Sequence, residues 1–259
     1  MEINELIAKI RQKKELSSIP SQIVQELLEE YLKKNNIFLK NLKKSEIKSL
    51  IKSIRARLRE SIGGFQRKWK NRFELLEKND IKSLLETHSS TKERIGFYPG
   101  LKKLIYDLNI TSILDIGCGL NPIALASPKI KYYASDIDLE ELLLIKSFFE
   151  KNKIDGKTFF CDLKKIELCN LPKADICLIL KVFDAIEKKG HKLAEKIIKF
   201  ISAKYFLISF STKTLSGKPM AHPQRGWIER LLNRLGFTFK IIKSKNEIYY
   251  LASKSEQIA

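Results

Sequence analysis

Ser112-Ile-Leu-Asp-Ile-Gly-Cys-Gly-Leu-Asn-Pro122 is a short apolar run that stops at Gly117-Cys118-Gly119 and restarts on an asparagine–proline pair. The run suits a buried strand. Asn121 is a good N-cap and Pro122 a favoured first helical residue, so a helix opens directly behind the turn. Strand, glycine turn and helix in that order deliver bare backbone to a ligand at a sheet's carboxyl edge, where open α/β folds bind ligands.

Downstream, the same unit repeats. Lys131 to Asp136 reads as a second strand, followed by an amphipathic helix through Leu139, Leu142, Leu143 and Phe149. Thr158 to Cys161 is a third strand and Ala174 to Leu180 a fourth. A helix around Leu193 to Phe200 leads to a fifth strand, Tyr205 to Phe210. Trp227 to Leu235 is a helix stopped by Gly236, and Phe237 to Ile242 with Ile248 to Ala252 closes the chain as a strand pair. Serial βα units with a terminal hairpin predict an α/β fold, a Rossmann-like, mostly parallel seven-stranded sheet with one antiparallel strand.

Acids stand at the strand ends. Asp136 and Asp138 follow Asp115 by 21 and 23 residues, and Asp162 with Leu163 follows the third strand. An acid ending the second strand suits a ribose diol, and one past the third suits an adenine amino group. A nicotinamide fingerprint competes, but it wants a third glycine where this chain has Pro122. The set predicts a site for S-adenosyl-L-methionine.

Upstream, residues 2 to about 85 read as helices. Ile3, Leu6, Ile7 and Ile10 recur at helical spacing, as do Ile23, Leu27, Leu28, Tyr31 and Leu32 behind a Ser18-Ile19-Pro20-Ser21 start signal. A third helix opens near Ser45 and ends at Gly63-Gly64, and a fourth spans roughly Phe65 to Lys78. Lys48, Lys52, Arg55 and Arg59 share one stripe of the third helix. Arg67, Lys68, Lys70 and Arg72 extend that basic patch, which predicts phosphate contacts.

The 259 residues carry 49 Lys and Arg against 30 Asp and Glu, a formal charge of +19 that favours polyanions. No apolar run approaches the roughly 20 residues of a membrane span, and Met1 to Lys14 has no secretory pattern; the expected location is cytoplasmic. Cysteines 118, 161, 169 and 177 form no C-x-x-C pair and, with three scattered histidines, no zinc spacing. They read as buried, inert thiols, and no metal is expected. Nothing demands more than a monomer.

His88-Ser-Ser-Thr-Lys-Glu-Arg94, with Asp115 to Pro122, Ala134-Ser-Asp-Ile-Asp138, Leu178-Ile-Leu-Lys181 and Arg55 to Phe65, resembles the 16S rRNA guanine-N7 methyltransferases that confer aminoglycoside resistance by modifying guanine 1405. The resemblance runs from about residue 50 to 253. It implies methylation of 16S rRNA within the 30S subunit. The residue patterns themselves divide the chain into a helical basic RNA-docking domain over 1–85, a connecting segment over 86–110 and a cofactor-binding domain over 111–259. The resemblance further implies that Arg94 holds the methionine carboxylate of the cofactor. His88, Ser89, Gly117, Cys118, Gly119, Asn121, Asp136, Ile137, Asp162, Leu163 and Leu180 would line the cofactor site. Lys181 and Glu247 would face the methyl-transfer site, and Lys218 and Met220 the RNA.

One loop departs. Ser209 to Met220 is shorter than the family's, Pro219 precedes Met220, and Gln224 stands where a Tyr is expected. The competing readings are a methyltransferase for another rRNA or tRNA base such as adenine N1, and a non-catalytic RNA-binding ribosome-assembly protein.

Overall fold

The computed structural model describes residues 2–61, 71–187, 190–214 and 217–254, with backbone alone at 60 and 61. The Gly63-Gly64 corner, the expected helix start at Phe65, and Arg67, Lys68 and Lys70 lie outside the described residues.

Four helices open the chain: α1 (Ile3–Arg11), α2 (Lys14–Ser17), α3 (Ser21–Lys34) and α4 (Lys44–Ser61). Their apolar stripes meet in a core of their own, built from Leu6, Ile10, Leu16, Val24, Leu28, Leu50, Ile54 and Leu58 among others. Truncating a side chain such as Leu58, 1% exposed, costs about 2–5 kcal/mol in such a setting. Arg55 reinforces the packing. Its guanidinium donates to the carbonyls of Lys9 and Ile10 near the end of α1, where helical carbonyls lack partners and cations are favoured.

The next helices are α5 (Arg72–Glu77), α6 (Ile81–Glu86), α7 (Ser89–Arg94) and α8 (Tyr98–Asp107). Leu76, Leu84 and Leu85 pack with Tyr98, Leu101 and Ile105 against the sheet, not with the core of α1–α4. The change of core therefore falls between Leu58 and Leu76, before the residue-85 boundary that composition suggests.

The strands are β1 (Ser112–Ile116), β2 (Lys131–Asp136), β3 (Gly156–Phe160), β4 (Ala174–Leu180), β5 (Ala203–Ser211), β6 (Phe237–Lys243) and β7 (Glu247–Lys254). They form one sheet in the order β3-β2-β1-β4-β5-β7-β6. β1 to β5 pair in parallel, and β7 runs antiparallel between β5 and β6. The expected mostly parallel, Rossmann-like sheet is present. On β4, Ile176, Leu178 and Leu180 enter one core while Cys177 and Ile179 enter the other. Both faces are covered, as parallel strands require, by α9 (Asn121–Leu125), α10 (Leu139–Lys151), α11 (Val182–Ile186), α12 (Lys192–Phe200) and α13 (Gly226–Arg234). Asp138 caps α10 by accepting from the backbone N–H groups of Glu140 and Glu141.

Two side-chain readings change. Cys161 and Cys169 are joined in a disulfide, because the helical turn after β3 brings their Cα atoms to 5.5 Å; only Cys118 and Cys177 are buried free thiols. Arg72, expected on the RNA-facing patch, is 5% exposed. It pairs with Glu141 at 3.1 Å and donates to Thr87. A guanidinium held inside by a carboxylate is not presented to phosphate. No helix among the described residues is long and apolar enough to cross a membrane.

Candidate active site

The turn after β1 sets the geometry. Gly117 and Gly119 both adopt left-handed backbone, with φ of 59° and 48°. A side chain at either position would meet a strained backbone and short space. A Cβ on Gly117 would come within 2.8 Å of Val182, and one on Gly119 within 3.0 Å of the His88 ring. The turn therefore brings backbone close to both α11 and the segment that opens α7, which only glycine allows.

Asp136 closes the opposite side. One carboxylate oxygen accepts from Gly119 N–H at 3.0 Å, and the other from the N–H groups of Ile137 and Asp138. Burial pushes its carboxyl up to about 6, against the pull of those three donors. Above that pH it is an oriented anion with acceptor capacity left for a hydroxyl pair. Asp162 caps the turn after β3 through Lys164 N–H. Asp115 behaves differently. It is fully buried, accepts from the Tyr132 hydroxyl at 2.7 Å, and burial pushes it up to about 8. The first acid of the motif thus stiffens the sheet beneath the site and does not line it.

These elements line a cleft at the carboxyl edge of β1, β2 and β4, where open α/β folds bind ligands. The cleft brings together His88, Gly117, Cys118, Gly119, Asn121, Asp136, Ile137, Asp162, Leu163, Leu180 and Lys181, all named from sequence. Ser89, Arg94 and Glu247 do not line it. His88 is buried and neutral: desolvation, then the charges of Arg72, Arg94 and Lys181, push it down to about 3.

Arg94 and Glu247 instead form a buried network behind the wall. Arg94, 1% exposed, donates to Glu247 at 2.9 Å, to Asn121 at 2.5 Å and to Ser90 at 3.2 Å. Glu247 also accepts from Ser209 at 2.7 Å. Burial works to raise the Glu247 carboxyl, but the charges of Arg94 and Lys181 hold it below its ordinary value. With Glu247 already on its guanidinium, Arg94 reaches the cleft through Asn121 and Ser90, which do line it. Lys181 sits at the end of β4 in left-handed backbone, φ 61°. Its ammonium pairs with Glu93 at 2.5 Å and lies 3.7 Å from Glu247.

The basic face divides. Lys48 and Lys52 are exposed, Arg59 pairs with Glu15, and Arg55 is half-buried in the helical packing. In the loop after β5, Lys218 is exposed and half-buried Met220 lies against Arg225. Arg225 organises that loop by bonding Ser211, Pro223 and Asp184.

Sequence reasoning missed several groups on the cleft wall: Ile23 of α3, Leu58 of α4, Thr91, Glu141, Ala185 and Ile186. Spacing within the βα units gives no signal for the first two, which arrive from a separate core. No group of three or more His, Cys, Asp or Glu among the described residues is arranged to hold a metal.

Residues 76–251 match the family model described as ribosomal RNA methyltransferase (FmrO). A 16S rRNA (guanine(1405)-N(7))-methyltransferase of Frankia casuarinae is 22% identical, over 67% of this chain and 64% of its own length. The protein of the same description from Serratia marcescens is 29% identical, over 70% of this chain and 72% of its own. Among solved structures, the 16S rRNA methyltransferase RmtF in complex with S-adenosyl-L-homocysteine superposes with a TM-score of 0.79. It is 18% identical and covers 98% of this chain and all of that one, a likeness of fold.

Proposed function

The chain belongs to the FmrO family of ribosomal RNA methyltransferases, and from that premise we propose that it transfers a methyl group from S-adenosyl-L-methionine to guanine N7 in 16S rRNA, at position 1405 of the 30S decoding region, so conferring aminoglycoside resistance. The observation that carries the proposal is the cleft itself. Two glycines in left-handed backbone, an oriented Asp136 and Asp162 stand at the carboxyl edge of the sheet, with a lysine at the end of β4.

The residues fit the cofactor. The bare Gly117–Gly119 backbone leaves room for its amino-acid part, Asp136 keeps acceptor capacity for the ribose, and Asp162 with Leu163 takes the adenine. Bound there, the cofactor supplies an electrophilic methyl group on its sulfonium. Guanine N7 has a free lone pair at neutral pH, so the protein has no proton to remove. Its task is to hold N7 in line with the methyl group, an orientation effect. Buried His88 stays neutral beside the turn and adds no charge of its own. Lys181 and the Glu247 carboxylate behind it set the field where positive charge develops on the base. Lys48 and Lys52 give docking contacts to the rRNA backbone, and Lys218 and Met220 approach the target nucleotide from the loop after β5.

Methyl transfer from labelled cofactor to purified 30S subunits tests this, with the modified base mapped by borohydride–aniline cleavage and primer extension. A stop at guanine 1405 is the expected result. Label elsewhere in the RNA would move the target, and no transfer to 30S would remove the proposal.

A further inference from the structure

The cofactor cleft is not made by the sheet domain alone. We propose that Ile23 and Leu58, from the amino-terminal helices, are contact residues for the adenosine portion of the cofactor, so that α1–α4 form one wall of the cofactor site. The inference rests on the functional reading above and deepens it.

Both side chains line the cleft that holds Asp136 and Asp162. Ile23 also lines the neighbouring groove, and Asp162 is common to both, which puts Ile23 at the Asp162 end. Two ties hold the helices there. Glu26 of α3 pairs with Lys165 at 2.5 Å, in the turn that begins at Asp162. α4 packs on α11, whose Ala185 and Ile186 line the same cleft as Leu58. With Ile137 and Leu163, these aliphatic groups enclose a space whose polar edge is Asp162. A flat heteroaromatic base with an exocyclic amine matches that chemistry, with apolar faces against aliphatic carbon and a donor toward a carboxylate.

Titration calorimetry with S-adenosylhomocysteine on the full chain tests the wall. Leu58 is a poor probe because it is buried in the helical core. Ile23 is half-buried at the edge of the helical core, so Ile23→Ser is read beside its melting temperature and beside the volume-conserving Ile23→Leu. The expected result is affinity weakened roughly fivefold, from lost apolar contact, with the same factor lost for methylthioadenosine, which lacks the amino-acid part. Ile23→Leu restores both. Glu26→Lys, which loosens α3 from the turn without touching the cleft, weakens binding by a smaller factor. Equal affinity of the wild-type chain and Ile23→Ser overturns this inference alone. A loss confined to S-adenosylhomocysteine overturns it too, by placing Ile23 away from the nucleoside. No binding of either compound by the unsubstituted chain overturns the functional reading and the inference together.

Discussion

The cleft at the strand ends and the basic stripe of α4 both carry charged residues that the sequence marks out, yet the fold treats the two sets differently. At the carboxyl edge of the sheet, Asp136, Asp162 and Lys181 reach the same cleft. On and beyond α4, Lys48 and Lys52 face solvent, Arg55 ties α1 to α4, Arg59 pairs with Glu15, and Arg72 is buried on Glu141. The difference is geometric. Consecutive parallel strands end at one edge, so a residue just past each strand has only one place to go. A stripe on a helix fixes which residues share a face, but not whether that face meets water or another part of the chain.

The largest break in this comparison comes from Arg72. Arg72→Met strands a buried carboxyl, and the expected loss of stability is about 3 kcal/mol, read by urea denaturation. Unchanged stability with weakened 30S binding would return Arg72 to the docking face. Next is Asp136→Ala, which removes the acceptor of three backbone N–H groups and of the proposed ribose contact. S-adenosylhomocysteine affinity is expected to fall roughly 10- to 100-fold, since hydrogen bonds to charged groups contribute about 1.5–3 kcal/mol; calorimetry gives the number.

The pH dependence sharpens the same point. Asp136 has its folded pKa raised to about 6, so the carboxylate is ionised above that pH and protonated below it. Cofactor affinity is therefore expected to be level above pH 7 and to fall as pH drops through 6, by several-fold at pH 5. Asp136→Asn should flatten that profile, and a wild-type profile flat from pH 5 to 8 would contradict the assignment. The smallest effect belongs to the exposed cations. Lys48→Glu with Lys52→Glu should weaken 30S binding and lower the slope of log affinity against log salt by about 1 per lysine, with cofactor affinity unchanged. Equal loss of both affinities would count against a docking face separate from the cleft.

Much of the fold was legible because hydrophobic period and glycine punctuation agree along residues 112–252, and β4 carries the range its sequence predicts. The site was legible where strand ends dictate position. It was illegible where long-range packing decides: nothing near Ile23 or Leu58 hints at a cleft lined otherwise by residues between 88 and 186. Arg94 shows the same limit. Its motif spacing could not reveal that Glu247 takes its guanidinium. Cys169 reads as one more apolar-flanking thiol until the turn after β3 folds it back on Cys161.

That Arg94–Glu247 pair also bears on how the protein is made. The two residues are 153 apart in sequence, and Glu247 enters on β7, which slots between β5 and β6 after every other strand has been synthesised. Until then the emerging chain holds a guanidinium bound for the interior with no carboxylate to meet it, and a charge left so costs several kcal/mol. Burial of Arg94 with its charge matched is therefore coupled to the docking of that strand. Translation halted before residue 247 yields a polypeptide with nearly every cleft residue and no settled wall behind them.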